Sequence, residues 1–508
     1  MDFVALILVL ILYFLRPQEW GSIFSGLRPI QLVSYLVILS IFNKKGGFKL
    51  KDLFQTPHHW LIFIFFVWTI AGSPDRNGTF KLIQANILFY VAAVLSLTTI
   101  PRLKTFLSWW AWLIMAVTIL ALLSEVGFDP LNSKDLTEWG MRGRLALNLS
   151  IFNNPNALAH SIIPGIPMLY FLMFWKKSIG KISGVILILP LLCIYLTQSK
   201  GAFLCGAATI VTVLTFGRPK AVQVAILVMS ATLGITAVYA LPRMGELSKT
   251  KTDMAIQGRI AAARFGMECM QKSWWGNGFG RFQTEFWEHG PLIKDEPKQK
   301  PHHYHKAAHG TYVQNGADLG YPGLCMLIGI LYCCMRTLVM AKTRNVEEER
   351  IRRILFSVVF AYAASSWMVD FFYRTILFLF VAATAGFHQI LSKPVGAVEV
   401  EEEPEPAFPS WRHRLHGVMS PVLPVPQPAV AGTGGAAMSA LPVAANAGAS
   451  KENQFLTSSG VLKSRIQDDA EITEATMKWR RFGIIDLINT LVLTKCVVMY
   501  WNHIITTM

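Results

Sequence analysis

Cationic and titratable side chains lie in short polar stretches that interrupt long apolar segments. LTQSKGAFL (196–204) carries Ser199 and Lys200, and AHGTYV (308–313) places His309 just before an apolar run. A lysine beside the amides of a helix start can bind an anion, and a histidine can accept a proton at neutral pH. From this stretch alone, the default for Lys200 is a tight turn whose side chain extends to the lipid headgroups. The alternative is that Lys200 and the Ser199 hydroxyl form an anion site, with His309 as a proton acceptor on the same side.

A second basic stretch is GRIAAARFGMECMQKSWWGNGFGRF (258–282), where Arg259 and Arg264 fall on a helical pattern. The alternative here is a helix that lies on the membrane with its basic face in water. The glycines match no phosphate-binding loop, because neither the G-x-x-x-x-G-K-[ST] spacing nor a preceding Rossmann strand is present. We expect them to form a turn that packs tightly against the other helices.

Two further polar stretches allow an ordinary structural interpretation. FNNPNALA (152–159) surrounds a proline with asparagines, which is typical of a helix start, so capping is the default for Asn156 and substrate binding is the alternative. VDFFYR (369–374) separates Asp370 from Arg374 by four residues, which most often indicates a simple ion pair, with substrate contact as the alternative.

Histidines also cluster in the segment HHYHKAAHG (302–310). His302, His303 and His305 invite a metal interpretation, but no H-E-x-x-H pattern occurs and the acidic residues lie far away in sequence. We predict solvated histidines and no metal site.

The elements that must position these residues are membrane helices. Of 508 residues, 53% are hydrophobic and 15% are charged, whereas soluble domains carry about 25% charged residues. Continuous apolar stretches predict an all-α, polytopic membrane helix bundle rather than a β-barrel. The net charge of +16 comes mostly from short loops, which indicates topology rather than nucleic-acid binding. The seven cysteines show no paired spacing, so we predict no disulfide framework.

Apolar runs predict about twelve spanning helices. The loops after the second, fourth, sixth, eighth and tenth helix are basic, which places them in the cytoplasm and the candidate site residues on the outer side. The predicted spans lie near residues 2–15, 29–43, 58–72, 81–99, 105–125, 155–174, 182–197, 202–216, 221–241, 311–340, 353–369 and 374–391.

Composition divides the chain into three parts. Residues 1–394 form the predicted membrane domain, with 242–310 as one large outer loop. Residues 395–480 are rich in Pro, Ala and Gly and predict a disordered cytoplasmic linker. Residues 481–508 are apolar but carry charged side chains, so an interfacial helix and a further span both remain open.

Four of these stretches, FNNPNALA, TQSKGAFL, GRIAAARFGMECMQKSWWGNGFGRF and AHGTYVQNGADLGYPGL, resemble the O-antigen ligase and O-antigen polymerase superfamily over roughly residues 140–390. LRPQEW (15–20) more weakly resembles O-glycosylation ligases found beside exosortase systems. The resemblance implies about a dozen helices with one large periplasmic loop in the bacterial inner membrane. It also implies glycan transfer from undecaprenyl diphosphate to an acceptor hydroxyl, with no required metal or other cofactor.

The resemblance also implies catalytic roles for three residues. Lys200 matches the basic residue of the family's S-R-G-type motif, Arg259 matches a periplasmic arginine, and His309 matches the histidine before the late helix. The cations would stabilise the diphosphate leaving group, with Arg264 assisting, and His309 would deprotonate the acceptor. Two departures are the lysine in place of arginine, which removes bidentate phosphate contact, and Gly310 where the family usually has Asn.

The acceptor stays open at this point. It could be a glycolipid such as a lipid A core, a growing polysaccharide, or a protein hydroxyl, and the second of these would make the protein a polymerase. A lipid-linked glycan transporter and a catalytically inactive assembly partner are alternatives from other classes. The transporter predicts polar residues near mid-membrane, whereas the polar motifs of this sequence cluster at one face.

Overall fold

The computed structural model describes residues 2–20, 29–42, 53–175, 184–240, 254–291, 306–371, 375–393, 477, 479 and 481–507. All regular structure in these ranges is helical, as the apolar runs predict. The predicted linker (395–480) lies outside the described residues except for residues 477 and 479, and so do Arg374 and the histidines at 302, 303 and 305. The helices are α1 (Asp2–Leu15), α2 (Pro29–Phe42), α3 (Pro57–Ala71), α4 (Arg76–Ser96), α5 (Ile100–Glu125), α6 (Ser133–Asp135), α7 (Pro155–Ile162), α8 (Gly165–Leu169), α9 (Gly184–Leu196), α10 (Lys200–Thr215), α11 (Lys220–Ala240), α12 (Met254–Lys272), α13 (Phe282–His289), α14 (Thr311–Met340), α15 (Val346–Ser365), α16 (Ile376–Leu391) and α17 (Ile484–Thr507).

Each predicted span coincides with helical structure, and the boundaries move by a few residues. The largest shift is at α15, which begins at Val346 because Asn345 caps it by accepting from Glu348 N, whereas the apolar run starts later. By length and composition, five helical stretches among the described residues can cross a membrane. They are Arg76–Ser96, Ile100–Glu125, Pro155–Phe174, Thr311–Met340 and Ile484–Thr507. The chain is therefore a helical membrane protein, and the number of about twelve spans stays a prediction.

Helix α14 is the longest described helix and contacts α3, α12, α15, α16 and α17. It is kinked at Gly320, whose φ is 69° and ψ is −169°, and Pro322 follows within the next turn. The kink leaves carbonyl groups without helical partners. Trp68 Nε1 donates to Leu319 O at 3.1 Å, so α3 satisfies one of the groups at the kink.

The glycine-rich turn packs against this kink, which confirms the predicted close approach. A Cβ atom on Gly276 would lie 2.4 Å from Asp318 O, and one on Gly320 would lie 2.0 Å from Trp274 O. Gly278 N donates to Asp318 O at 2.8 Å, and Tyr321 N donates to Trp274 O at 3.2 Å. The segment before α13 is therefore held by backbone hydrogen bonds to the first third of α14, at the kink.

Helix α15 is joined to α10 at the end of the bundle opposite His309. Glu349 binds the guanidinium groups of Arg352 and Arg353 at 2.7 and 2.8 Å, and all three residues are buried. Arg353 Nη1 also donates to Phe216 O, just after α10, at 2.8 Å. Ion pairing and hydrogen bonds offset the desolvation free energy that burying these charges costs.

The apolar C-terminal segment forms α17 alongside α14 in the opposite direction. At its start, Asp486 forms an ion pair with Arg336 of α14. Near its end, the ring of Trp501 lies 6.1 Å from the ring of Trp367, which follows α15. The helix therefore extends along most of α14, which favours a further span over an interfacial helix.

Candidate active site

A cavity of about 930 Å³ lies at the end of the bundle where α10 and α14 begin. Lys200, Arg259 and His309 all line it, although they come from three stretches far apart in sequence. Asn156 and Arg144 line the same cavity, and Arg144 Nη2 donates to Asn156 Oδ1 at 2.9 Å. The side chains of all five are half-buried.

Lys200 is the first residue of α10, and the turn before it fixes where that helix starts. Ser199 Oγ accepts a hydrogen bond from Ala202 N at 3.4 Å, which is an N-cap, and Ser199 does not line the cavity. Gln198 has a φ of 49° and does line it. Ser199 is therefore a helix cap at the end of this turn, and Lys200, the first residue of α10, lines the cavity.

Arg259 is held on α12, which packs against α14. Its Nη1 atom lies 3.5 Å from Met368 Sδ. Gly201 makes this close arrangement possible, because a Cβ there would lie 3.0 Å from Met368 Cγ. One wall of the cavity is therefore formed by the start of α10, the turn after α15 and the guanidinium of Arg259.

His309 owes its position to a set of hydrogen bonds at the start of α14. Thr311 N donates to Ser366 O at 2.7 Å and to Val369 O at 3.0 Å, and Thr311 Oγ1 donates to Val369 O at 2.8 Å. His309 itself has a φ of 51°, in the left-handed region. Such a conformation costs about 1 to 2 kcal/mol for a residue other than glycine. The contacts of Thr311 with the turn after α15 hold this strained residue at the cavity.

The imidazole of His309 is neutral at pH 7. Burial, followed by the positive charges of Arg259 and Lys306, lowers its pKa from 6.5 to about 4. Lys306 approaches from the α12 side, since a Cβ on Gly258 would lie 2.6 Å from its Nζ. An anion bound between these cations would offset their charge and raise the pKa of His309.

The electrostatic character of the cavity favours anions. The helices α7, α10 and α14 all begin at its wall, through Asn156, Lys200 and Tyr312. A helix N-terminus carries about half a positive charge and exposes backbone N–H groups. None of the described residues that line the cavity is acidic. The arrangement can bind a phosphorylated group and hold a neutral base next to it.

Two of the other predicted substrate-binding residues do not line the cavity, and a third lies outside the description. Arg264 is exposed and does not line the cavity, and its Nη2 lies 3.5 Å from Ile505 O. Asp370 is half-buried in the turn after α15 and lies off the cavity wall. Because Arg374 is outside the described residues, the predicted ion pair between it and Asp370 stays a prediction.

Sequence reasoning missed Arg144 and His160. Arg144 lies in a long loop without periodicity, and its only signal was a positive charge in a loop predicted on the outer side. Its Nε also donates to Thr197 O at 3.0 Å, which links that loop to the turn before Lys200. His160 is buried, with Nδ1 2.9 Å from Ser365 Oγ. A Cβ on Gly201 would lie 3.4 Å from His160 Nε2, so the imidazole supports the cavity wall from behind.

Comparison with known proteins bears on the same residues. Residues 185–328 match the family model described as O-antigen ligase, and this span includes Lys200, Arg259 and His309. A search of the curated proteins finds no match for this chain. The match agrees with the all-helical structure and its apolar helices, and together they support a membrane enzyme of the ligase or polymerase type. Residues 185–328 therefore match an O-antigen ligase domain, and this match supports the resemblance to the O-antigen ligase superfamily.

Proposed function

We propose that the protein is a glycosyltransferase that moves a glycan from undecaprenyl diphosphate to an acceptor hydroxyl at the periplasmic face of the bacterial inner membrane. The observation that carries this proposal is the shared cavity of Lys200, Arg259 and His309, which is rich in positive charge and contains one neutral imidazole. Glycan transfer from an activated diphosphate ester needs cations to stabilise the leaving group and a base to deprotonate the acceptor. It needs no further cofactor.

The cationic side of the cavity binds the diphosphate. Lys200 and Arg259 would contact its oxygens, assisted by Arg144 and by the N-termini of α10 and α14. Negative charge on the leaving group grows as its bond to the sugar lengthens. Cations held in place before the reaction therefore stabilise the transition state more than the ground state.

His309 acts on the acceptor. The imidazole accepts the hydroxyl proton while the acceptor oxygen attacks the anomeric carbon, and the bond from that carbon to the diphosphate oxygen breaks in the same step. The diphosphate leaves with the electron pair, and the imidazolium later releases its proton to solvent. A single displacement of this kind inverts the anomeric configuration.

Purified protein in lipid nanodiscs with an undecaprenyl-diphosphate glycan tests this proposal. We expect transfer to one of three acceptors, namely a glycolipid, the glycan itself, or a protein hydroxyl. The acceptor that is used distinguishes ligation, polymerisation and O-linked glycosylation. Failure with all three would overturn the proposal, and movement of the glycan across vesicles without transfer would make the protein a transporter.

Single substitutions test which residues act in the cavity, and two of them compare residues of α12. We expect Arg259→Ala and His309→Ala each to lower kcat/KM by about 100-fold or more, the usual cost of removing an electrostatic stabiliser or a general base. Arg264→Ala, on the same helix but outside the cavity, should keep nearly full activity. Lys200→Arg should preserve or raise activity. An equal loss in Arg264→Ala and Arg259→Ala would contradict the assignment.

A further inference from the structure

The C-terminal helix α17 contributes to the cavity although it lies far outside the matched residues 185–328. Tyr500, Trp501 and Ile504 line the cavity together with residues of α10, α12, α14 and α15. The matched residues alone therefore do not form the whole wall of the cavity. The question is what kind of ligand this added wall contacts.

The cavity has two chemically different parts. Its basic part was described above, and the remainder is lined by the apolar residues Leu204, Ile256, Ile260, Ala263, Ala308, Val313, Phe360, Ala363, Ala364, Trp367, Trp501 and Ile504. Leu204 lies one turn beyond Lys200 in α10, and Phe360 lies inside α15, before its end at Ser365. At about 1.5 Å per residue, the apolar part extends roughly 6 to 8 Å along the helices from the basic part.

The apolar part is open at its side. Leu204 is 47% exposed and Tyr500 is 53% exposed, although both line the cavity. The exposed side chains of α17 before Tyr500 are mostly apolar, among them Leu487, Leu491 and Met499, while the exposed Asn502 and His503 after it are polar. Apolar surface therefore continues from the side opening along α17 toward its first residue, and such surface suits hydrocarbon rather than water.

The position of α17 relative to the cavity is fixed at both of its ends. Asp486 pairs with Arg336 and accepts from Tyr332 Oη at 3.1 Å, and the carboxylate is buried. Near the other end, the rings of Tyr500 and Trp501 lie 5.2 and 6.1 Å from the ring of Trp367. The part of the cavity wall that α17 provides is therefore held in place by contacts at both ends of the helix.

We propose that α17 forms one side of a lateral opening through which the hydrocarbon chain of the lipid-linked donor leaves the cavity, with Ile504 and Tyr500 in contact with its first isoprene units. This inference rests on the proposed function. It follows from continuity, because a lipid diphosphate bound at Lys200 and Arg259 must extend its chain into the apolar part and out at the membrane.

The test compares two donors that carry the same diphosphate and sugar, one on undecaprenol and one on a single isoprenoid unit. Ile504→Trp should narrow the opening and raise KM for the undecaprenyl donor about tenfold, the size expected when a few methylene contacts are lost. KM for the short donor should stay within about twofold. Ile488→Trp is the matched control, because Ile488 is exposed on the same helix and does not line the cavity.

A second measurement uses the unaltered protein. A donor with a photoreactive group in its first isoprene unit should label residues in the 497–507 part of α17. Equal KM values for Ile504→Trp and Ile488→Trp with an active parent protein would overturn the lateral opening and leave the proposed function standing. An equal rise of KM for both donors would also overturn it. No transfer by the parent protein with either donor would instead defeat the proposed function.

Discussion

At the scale of single residues, the key property of the cavity is that positive groups surround one histidine. Burial and the charges of Arg259 and Lys306 together lower the pKa of His309 to about 4, so the ring is uncharged at neutral pH and one of its nitrogens can accept a proton. The same cations attract the substrate whose charge offsets them. Occupancy of the cavity therefore raises the basicity of His309 when a base is needed.

This coupling predicts a difference between two pH profiles. The acid limb of kcat/KM, which reports the free enzyme, should lie near pH 4, and the acid limb of kcat should lie at higher pH, since it reports the complex. Lys306→Met removes a positive charge, raises the pKa of His309 and should shift the limb of kcat/KM upward. Lys306→Arg keeps the charge and should leave it in place. An unchanged limb in Lys306→Met would contradict the role of Lys306.

At the scale of elements, the start of α14 is positioned from two directions. Hydrogen bonds of Thr311 hold its first turn against the turn after α15. The glycine turn holds its kink, where Gly276 and Gly320 bring two backbones together. The kink therefore sets the direction of the first part of α14, which leads to His309.

Two glycines of this turn form a matched pair for a stability test. Gly276 and Gly280 both have a φ of 80°, but a Cβ would clash with Asp318 O and Gly320 N at Gly276 and would meet nothing at Gly280. Gly280→Ala should cost about 1 to 2 kcal/mol, the price of the left-handed conformation alone. Gly276→Ala should cost clearly more, because the backbones must also separate. Thermal unfolding in detergent measures both, and equal losses would contradict the close approach.

At the scale of the whole molecule, α17 is attached to the bundle by a buried charge. Asp486 also accepts from Gly483 N at 2.8 Å and Trp479 Nε1 at 3.3 Å, so the carboxylate has several donors. Removing one partner of such a pair leaves the other charge buried without compensation. This is more destabilising than replacing both partners with apolar residues.

A double-substitution cycle tests this attachment. Arg336→Met alone should lower stability by about 3 to 5 kcal/mol and expose α17 to proteolysis, because the buried carboxylate of Asp486 then lacks an opposite charge. The combination of Asp486→Leu with Arg336→Met should recover part of the loss. Thermal unfolding and limited proteolysis measure both effects. A double variant that is less stable than either single variant would argue against the pair.

Much of the fold follows from composition and apolar runs, because a helix buried in lipid is specified by a continuous apolar segment. The site was harder to predict. Lys200, Arg259 and His309 were identifiable from local patterns and the family resemblance, whereas Arg144 lies in a loop without periodicity. The contribution of Trp501 depends on a helix pairing across more than a hundred residues, which no local pattern encodes. Arg264 lies off the cavity because of how α12 is rotated about its own axis, and the sequence pattern alone does not fix that rotation.

The direction of α17 has a practical consequence for experiments on the intact cell. Since α17 ends at Thr507 beside the mouth of the cavity, a reporter protein fused after this helix emerges on the same side of the membrane as His309. Alkaline phosphatase folds and works only after export, and green fluorescent protein fluoresces when it stays inside. A pair of such fusions would therefore reveal which compartment supplies the acceptor, with every residue of the bundle left intact.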